Sequence, residues 1–372
     1  MARILISILS DYLQPNFLLI KEMARTDDVL VFISTFEMES DKKKKSYWLG
    51  KTLNMPENSI RRIIVAEDDF GKIKDELAKQ CFPKSDEYIV NLTGGTKVMP
   101  LAVYEYFKNG FNAHFYYVPI GKNIIRDLSS QNAVPLNYRL NLKEYFTLYG
   151  IDIEPNNILT YSEVHTNELF EEFRRVNFNR YKVPKIRTAQ QLSNAIDKAY
   201  YGGKWFEEYC FSRLKRELSL ADDCICKDAY IFRDTNDRRN DNEIDVMFIK
   251  DNLLYIFECK VGMTGYVDPK DIMEKTPKDN IEKFQYKLAA IVKDFGLRVE
   301  AYILTLHKIF NNPRDFSEQA IENIVKRQTI LGLRGIIDSI AFTYNESLLD
   351  TFKQKMPSTL APQKNSLFNK KR

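Results

Sequence analysis

Histidine is scarce in this chain: only His114, His165 and His307 occur in 372 residues. None has an arginine four to six residues upstream, so the R-x4-6-H ribonuclease pattern is missing. Three scattered imidazoles also make a His-rich metal site hard to build. Cysteine is spare too. Cys81, Cys210, Cys224, Cys226 and Cys259 form an odd set without a CxxC pair, which argues against a disulfide framework or a zinc ribbon. No apolar run reaches the roughly 18 residues of a membrane-spanning helix, so no membrane partner is expected. The start, MARILISILSDYLQP, is broken by Asp11 and lacks a small-residue cleavage site. It is expected to be a first buried strand rather than a signal peptide, with the cytoplasm as the default location. The net charge of +4 is too small for a global positive field. Nucleic-acid binding would need local basic grooves.

What is present is length and pattern. The chain can hold two domains, each with its own core. Arg3–Leu9 is a near-continuous apolar run, as in a strand buried on both faces. Further strands are predicted over Val29–Ser34, Ile60–Ala66, Glu87–Leu92 and Ala113–Val118, with helices over Pro15–Ala24, Asp69–Gln80 and Lys97–Lys108. Such alternation predicts a parallel, doubly wound α/β sheet. The pattern loosens around residues 140–165, where the domain junction is placed. Beyond it, helices are predicted over Ser162–Val176, Ala189–Ser212 and Asn280–Phe295, and strands over Ala229–Arg233, Glu243–Ile249, Leu253–Lys260 and Arg298–Leu306. The expected division is a domain at 1–145, a linker at 146–165, a second α/β domain at 166–356 and a polar, frayed tail at 357–372. The Lys42–Lys45 run is expected to be a solvated loop.

The segment NEIDVMFIKDNLLYIFECK carries the strongest chemistry. Glu258 and Lys260 are two apart on one strand and so share a face. A hairpin closed by Asp251-Asn252 would set opposite each other the residues whose numbers sum to 503, and so place Asp245 across from Glu258. Asp and Asn tolerate the left-handed backbone such a turn needs. Two converging carboxylates suit a hard cation, Mg²⁺ or Mn²⁺. Such an ion polarises a phosphodiester and acidifies water. Lys260 can orient that water and offset developing charge. A surface salt-bridge cluster is the bland alternative, disfavoured because strands this apolar are usually central.

The pattern D245-(x12)-E258-C-K260, preceded by a helix with G203-K-W-F-E207, resembles the PD-(D/E)XK nuclease superfamily. Ile244 stands where that pattern has Pro. The resemblance implies that Glu207 joins Asp245 and Glu258 at the metal and that Gln285 is the polar site residue of the following helix. A groove including Lys204, Trp205, Arg238 and Arg239 is the candidate for holding a flexible strand by stacking and phosphate contacts.

In the first half, EYIVNLTGGTKVMPLAVYEYF reads as a strand, a glycine-rich turn and a helix. Asn91, Thr93, Gly94, Gly95, Thr96 and Lys97 fall at the strand's carboxyl end, where open α/β sheets bind ligands. Free N–H groups and Lys97 favour phosphate. GGTK lacks the G-x4-G-K-[ST] spacing, so ATP hydrolysis is not supported. The loop after the first strand, with Ser10, Asp11, Gln14 and Asn16, and Thr35 after the second, supply hydroxyls and amides for bases and ribose.

Residues 1 to about 145 resemble a CARF domain (CRISPR-associated Rossmann fold), and the whole chain is similar to CRISPR ancillary nucleases that join one CARF domain to one PD-(D/E)XK domain. That resemblance implies a homodimer with a shared pocket for a cyclic oligoadenylate, most often cyclic tetra-adenylate. It implies ligand-activated, Mn²⁺- or Mg²⁺-dependent cutting of single-stranded RNA or DNA in type III CRISPR defence. A ligand-gated regulator without cleavage, or an ungated restriction-type endonuclease, are the rivals.

Overall fold

The computed structural model describes residues 2–56, 60–233, 242–263, 277–310 and 312–343. Arg238, Arg239 and the expected tail lie outside them.

The first sheet has seven strands, β1 (Arg3–Ile8), β2 (Val29–Ser34), β3 (Arg61–Ile64), β4 (Glu87–Asn91), β5 (Asn112–Tyr117), β6 (Ile124–Asp127) and β7 (Ala133–Pro135), in the order β3-β2-β1-β4-β5-β6-β7. β1 to β5 pair in parallel; β6 and β7 are antiparallel additions. Pleating splits β1 between two cores. Ile4, Ile6 and Ile8 pack with Ile73 and Leu77 of helix Phe70–Ala78 and with Met99, Val103 and Phe107 of helix Val98–Lys108. Leu5 faces the other way, toward Phe17 and Leu18 of helix Gln14–Met23. Helices thus cover both faces, as the apolar runs required.

The second sheet contains β8 (Asp152–Glu154), β9 (Ile225–Phe232), β10 (Asn242–Lys250), β11 (Leu253–Lys260), β12 (Val299–Thr305) and β13 (Gly335–Ile337), in the order β13-β12-β11-β10-β9-β8. β11, β12 and β13 are parallel; β8, β9, β10 and β11 are successively antiparallel. The two domains are not separate bodies, because the core that holds Leu5 and Phe17 runs on through Leu140–Ile151 into the second sheet.

Three sequence expectations are revised. The segment set down as a linker adds an edge strand, β8, to the second sheet, and Thr160 donates to Glu208 through both its N–H and its hydroxyl. Three residues are too short to register as a pattern. The helix predicted over Ala189–Ser212 breaks: a short helix, Ala195–Ala199, and a widened turn at Tyr200–Lys204 precede helix Trp205–Leu218, with Gly203 in an extended conformation at the kink. The lysine run is not wholly solvated. Lys43 pairs with Asp11 and Glu37, and Lys45, 8% exposed, donates to the Asp11 carbonyl.

Candidate functional site

β10 and β11 pair with Val246 opposite Phe257 and Lys250 opposite Leu253, and each pair sums to 503. Asp251 and Asn252 close the hairpin with φ of 52° and 62°, both left-handed. One step past Val246 and Phe257, the same register sets Asp245 beside Glu258. Both carboxylates are buried, at 7% and 2% exposure.

Lys260 bridges them. Its Nζ lies 2.7 Å from Asp245 Oδ2 and 2.9 Å from Glu258 Oε1. The Cys259 N–H also donates to Asp245 Oδ2, at 2.7 Å. Burial works against the Lys260 ammonium, but the two carboxylates outweigh it and raise its pKa well above the ordinary lysine value. Burial pushes the Asp245 carboxyl up to about 6, with Lys260 opposing and Glu258 adding to the rise. Glu207 enters from the first turn of helix Trp205–Leu218. Burial, and then repulsion from Asp245, pushes its carboxyl up to about 9. Glu208, next along, is turned to the core, where Thr160 and Lys227 meet it.

Gln285 is not brought to this cluster. Its Nε2 donates to the Ile324 carbonyl at 3.0 Å and its Oε1 accepts from Arg327 at 3.3 Å, both on helix Glu318–Ile330. Lys287 on the same helix, Pro277–Val292, reaches Glu258 instead, with Nζ 3.0 and 3.1 Å from its two oxygens. Residues two apart on a helix point about 200° away from each other, so the choice between them decides which face meets the site. Trp205 cannot stack on a nucleic acid, because it is fully buried against Phe173 and Phe206. Lys204 pairs with Asp228 at 2.8 Å.

Sequence reasoning missed Asp228. It is buried in β9 with a left-handed φ of 47°, and its Oδ2 also takes the fully buried Lys227 at 2.7 Å. Its charge adds to the upward push on Glu207. The signal was available: a Lys-Asp pair inside ICKDAYIF is out of place in an apolar strand.

The donor set fits a hard divalent cation. Asp245 and Glu258 supply buried oxygens, and a cation would relieve both the burial of the Glu207 charge and its repulsion from Asp245. Among the described residues no three His, Cys, Asp or Glu side chains already form a cage. The fit is to an ion that these carboxylates would hold in part and that water and substrate oxygens would complete, as is common for Mg²⁺.

In the first domain the strand order puts the loops after β1 and β4 side by side, where the winding reverses. Gly94 (φ 114°) and Gly95 (φ 70°) form the turn after β4. A Cβ at Gly94 would strike the Ile8 carbonyl oxygen, and one at Gly95 would lie 2.8 Å from Ile8 Cγ2. Close approach of the two loops thus demands glycine there. Asp11, Gly95, Thr96 and Lys97 are exposed, with Ser10 and Gly94 partly so. Other named residues are struts. Asn16 is fully buried and donates to the Ile8 carbonyl (2.8 Å) and the Thr93 carbonyl (3.4 Å). Asn91 Oδ1 accepts from the Thr93 N–H, and Thr93 Oγ1 from the Val118 N–H. Thr35 is buried, accepting from the Met38 N–H. Gln14 reaches the Asn252 carbonyl at 2.6 Å.

Residues 4–145 match the family model of the Card1 CARF domain, and residues 196–314 match that of the Card1-like endonuclease domain. No curated protein sequence is detectably similar. Among solved structures, protein VC1899 from Vibrio cholerae superposes with TM-score 0.70 at 18% identity, over 95% of this chain and 98% of that one. Can2 from Sulfobacillus thermosulfidooxidans, in complex with cyclic tetra-adenylate, gives 0.66 at 18% identity, over 94% and 98%. A type III CRISPR defence DNA nuclease activated by cyclic oligoadenylate gives 0.56 at 15% identity, over 85% of this chain and 47% of that chain. At these identities the structures establish the fold. No described helix is long and apolar enough to cross a membrane.

Proposed function

From a chain that joins a Card1-type CARF domain to a Card1-like endonuclease domain, we propose a nuclease of type III CRISPR defence that a cyclic oligoadenylate, cyclic tetra-adenylate first among them, switches on to cut single-stranded RNA or DNA. One observation carries the reading: two buried carboxylates and a bridging lysine, Asp245, Glu258 and Lys260, sit in a chain whose other sheet presents glycine-rich, lysine-bearing loops at its switch point.

Asp245 and Glu258, with Glu207 facing them, would hold Mg²⁺ or Mn²⁺, and the ion would supply Lewis-acid polarisation of the phosphodiester and acidify the attacking water. Lys260 keeps the two carboxylates together and offers its ammonium to charge building on the phosphate. Lys287 stands on the far side of Glu258, 40% exposed, where it can follow a phosphate oxygen. In the CARF domain, Gly94, Gly95, Thr96 and Lys97 would take the ring phosphates, and Ser10 and Asp11 on the neighbouring loop would meet bases and ribose. A ring of repeated nucleotides suits a two-fold pocket in which each of two chains lends the same loops, so the working unit is a homodimer. Gating requires the ring to bind the active arrangement more tightly than the resting one.

The test uses purified protein, labelled single-stranded RNA and DNA, and Mn²⁺, with and without cyclic tetra-adenylate, beside Glu258→Ala. Cleavage that needs the ring and vanishes in the variant supports the proposal. Ring-independent cleavage reduces the protein to an ungated nuclease. Ring binding without cleavage leaves a regulator.

A further inference from the structure

The hairpin bearing Asp245 and Glu258 has its turn seated in the other domain. Asn252, 4% exposed, is the centre of that seat. Its Nδ2 donates to Asn123 Oδ1 at 2.9 Å and to the Tyr138 carbonyl at 3.0 Å. Its Oδ1 accepts from the Leu140 N–H at 2.9 Å. Its carbonyl accepts from Gln14 Nε2 at 2.6 Å, and the Asp251 carbonyl accepts from Asn123 Nδ2 at 3.1 Å. Arg139 lies 3.4 Å from the Asp251 carboxylate.

Turn chemistry alone does not call for this residue. With φ of 62° at the second turn position, glycine would be the easier occupant. Asn252 tolerates the left-handed backbone and keeps a side chain, and all of that side chain's hydrogen-bonding groups described here are spent on the CARF domain. Gln14 opens the helix that follows Ser10–Leu13, the loop at the sheet's switch point. From Asn252 to Glu258 is six residues along β11, about 20 Å at the rise of a strand. β10 and β11 are both central, paired on each side, so the hairpin moves as a rigid strip of the sheet and not as a loose loop.

We infer that Asn252 is a positioning residue through which the CARF domain sets the placement of the catalytic hairpin, with Gln14 passing the state of the ligand loop to it. The inference rests on the functional reading above. A displacement at the turn is carried along β10 and β11 to Asp245 and Glu258, where a small misplacement is costly to the reaction.

The test is Asn252→Gly in the full chain, which keeps the turn and deletes three side-chain hydrogen bonds. Three quantities are compared with wild type: cyclic tetra-adenylate affinity, the melting transition, and the ratio of cleavage rates with and without the ring. The expected result is ring affinity within about twofold and a stimulation ratio lowered about tenfold or more, within the usual span of allosteric couplings. A stimulation ratio within twofold of wild type overturns the inference. If wild type itself is not stimulated, the functional reading fails and this one falls with it. If Asn252→Gly loses its melting transition, Asn123→Ala, which removes from the CARF side one of those three bonds and the bond to the Asp251 carbonyl, is judged by the same ratio.

Discussion

The two candidate sites are built from opposite materials. The nuclease site is made of charged side chains at the end of a buried hairpin, where Lys260 holds two carboxylates that would otherwise repel. The CARF site leans on backbone, with Lys97 as the one charged side chain of its glycine turn. Its exposed part is Gly95, Thr96 and Lys97; beneath it Asn16 and Thr93 brace one loop against another, and Asn91 fixes the turn itself. Where side chains are the site, removing one removes chemistry. Where backbone is the site, removing a side chain distorts a shape.

This contrast can be sharpened by substitution. The largest effect belongs to the hairpin. Lys260→Ala is expected to lower the cleavage rate by about 10²–10³, the usual cost of losing one fixed charge-stabilising group, and Asp245→Ala or Glu258→Ala at least as much. Single-turnover rates on a labelled strand measure this, and rates within tenfold of wild type would remove these residues from the chemistry. Trp205→Ala comes next and acts on stability alone. The ring is fully buried, so about 3–5 kcal/mol should be lost, seen as a lower Tm. A weakened grip on nucleic acid at unchanged Tm would restore the stacking role. In the CARF domain, Gly94→Ala forces a side chain onto a backbone with φ of 114° and into the Ile8 carbonyl. A loss of about 1–3 kcal/mol is expected, together with weaker cyclic tetra-adenylate binding by calorimetry; unchanged binding would detach that turn from the ligand. The smallest effect separates two neighbours on one helix. Gln285→Leu should cost about 0.5–1.5 kcal/mol by deleting the buried amide's bonds to the Ile324 carbonyl and Arg327, whereas Lys287→Met should lower the rate more than the Tm. The reverse pattern would return Gln285 to the site.

How much was legible follows the same divide. The hairpin register came out of simple arithmetic on residue numbers, because a two-residue turn leaves one way to pair two strands and Asp251-Asn252 is a strong turn signal. The doubly wound sheet was legible because strands buried on both faces are nearly continuous in apolar residues, as at the centres of β1 and β4. Gln285 misled, since helical phase relative to a distant strand is set by packing and not by spacing within the helix. Trp205 misled for a related reason: an aromatic beside a lysine looks like a binding face until Phe173 and Phe206 are placed against it. Asn16 and Asn91 looked like ligand contacts because a buried amide strut and an exposed amide donor have the same letter. The seating of Asn252 in the other domain could not be read at all, because Gln14, Asn123 and Leu140 lie more than a hundred residues away.

In the proposed function the CARF loops govern chemistry at Asp245 and Glu258. The most direct measurement is the cleavage rate of wild type and of Lys97→Ala titrated with cyclic tetra-adenylate. The expected result is a rate that climbs from near zero to the same plateau in both, with the midpoint moved to higher ring concentration in the variant. A rate independent of ring concentration in wild type would show that the CARF loops do not govern the nuclease.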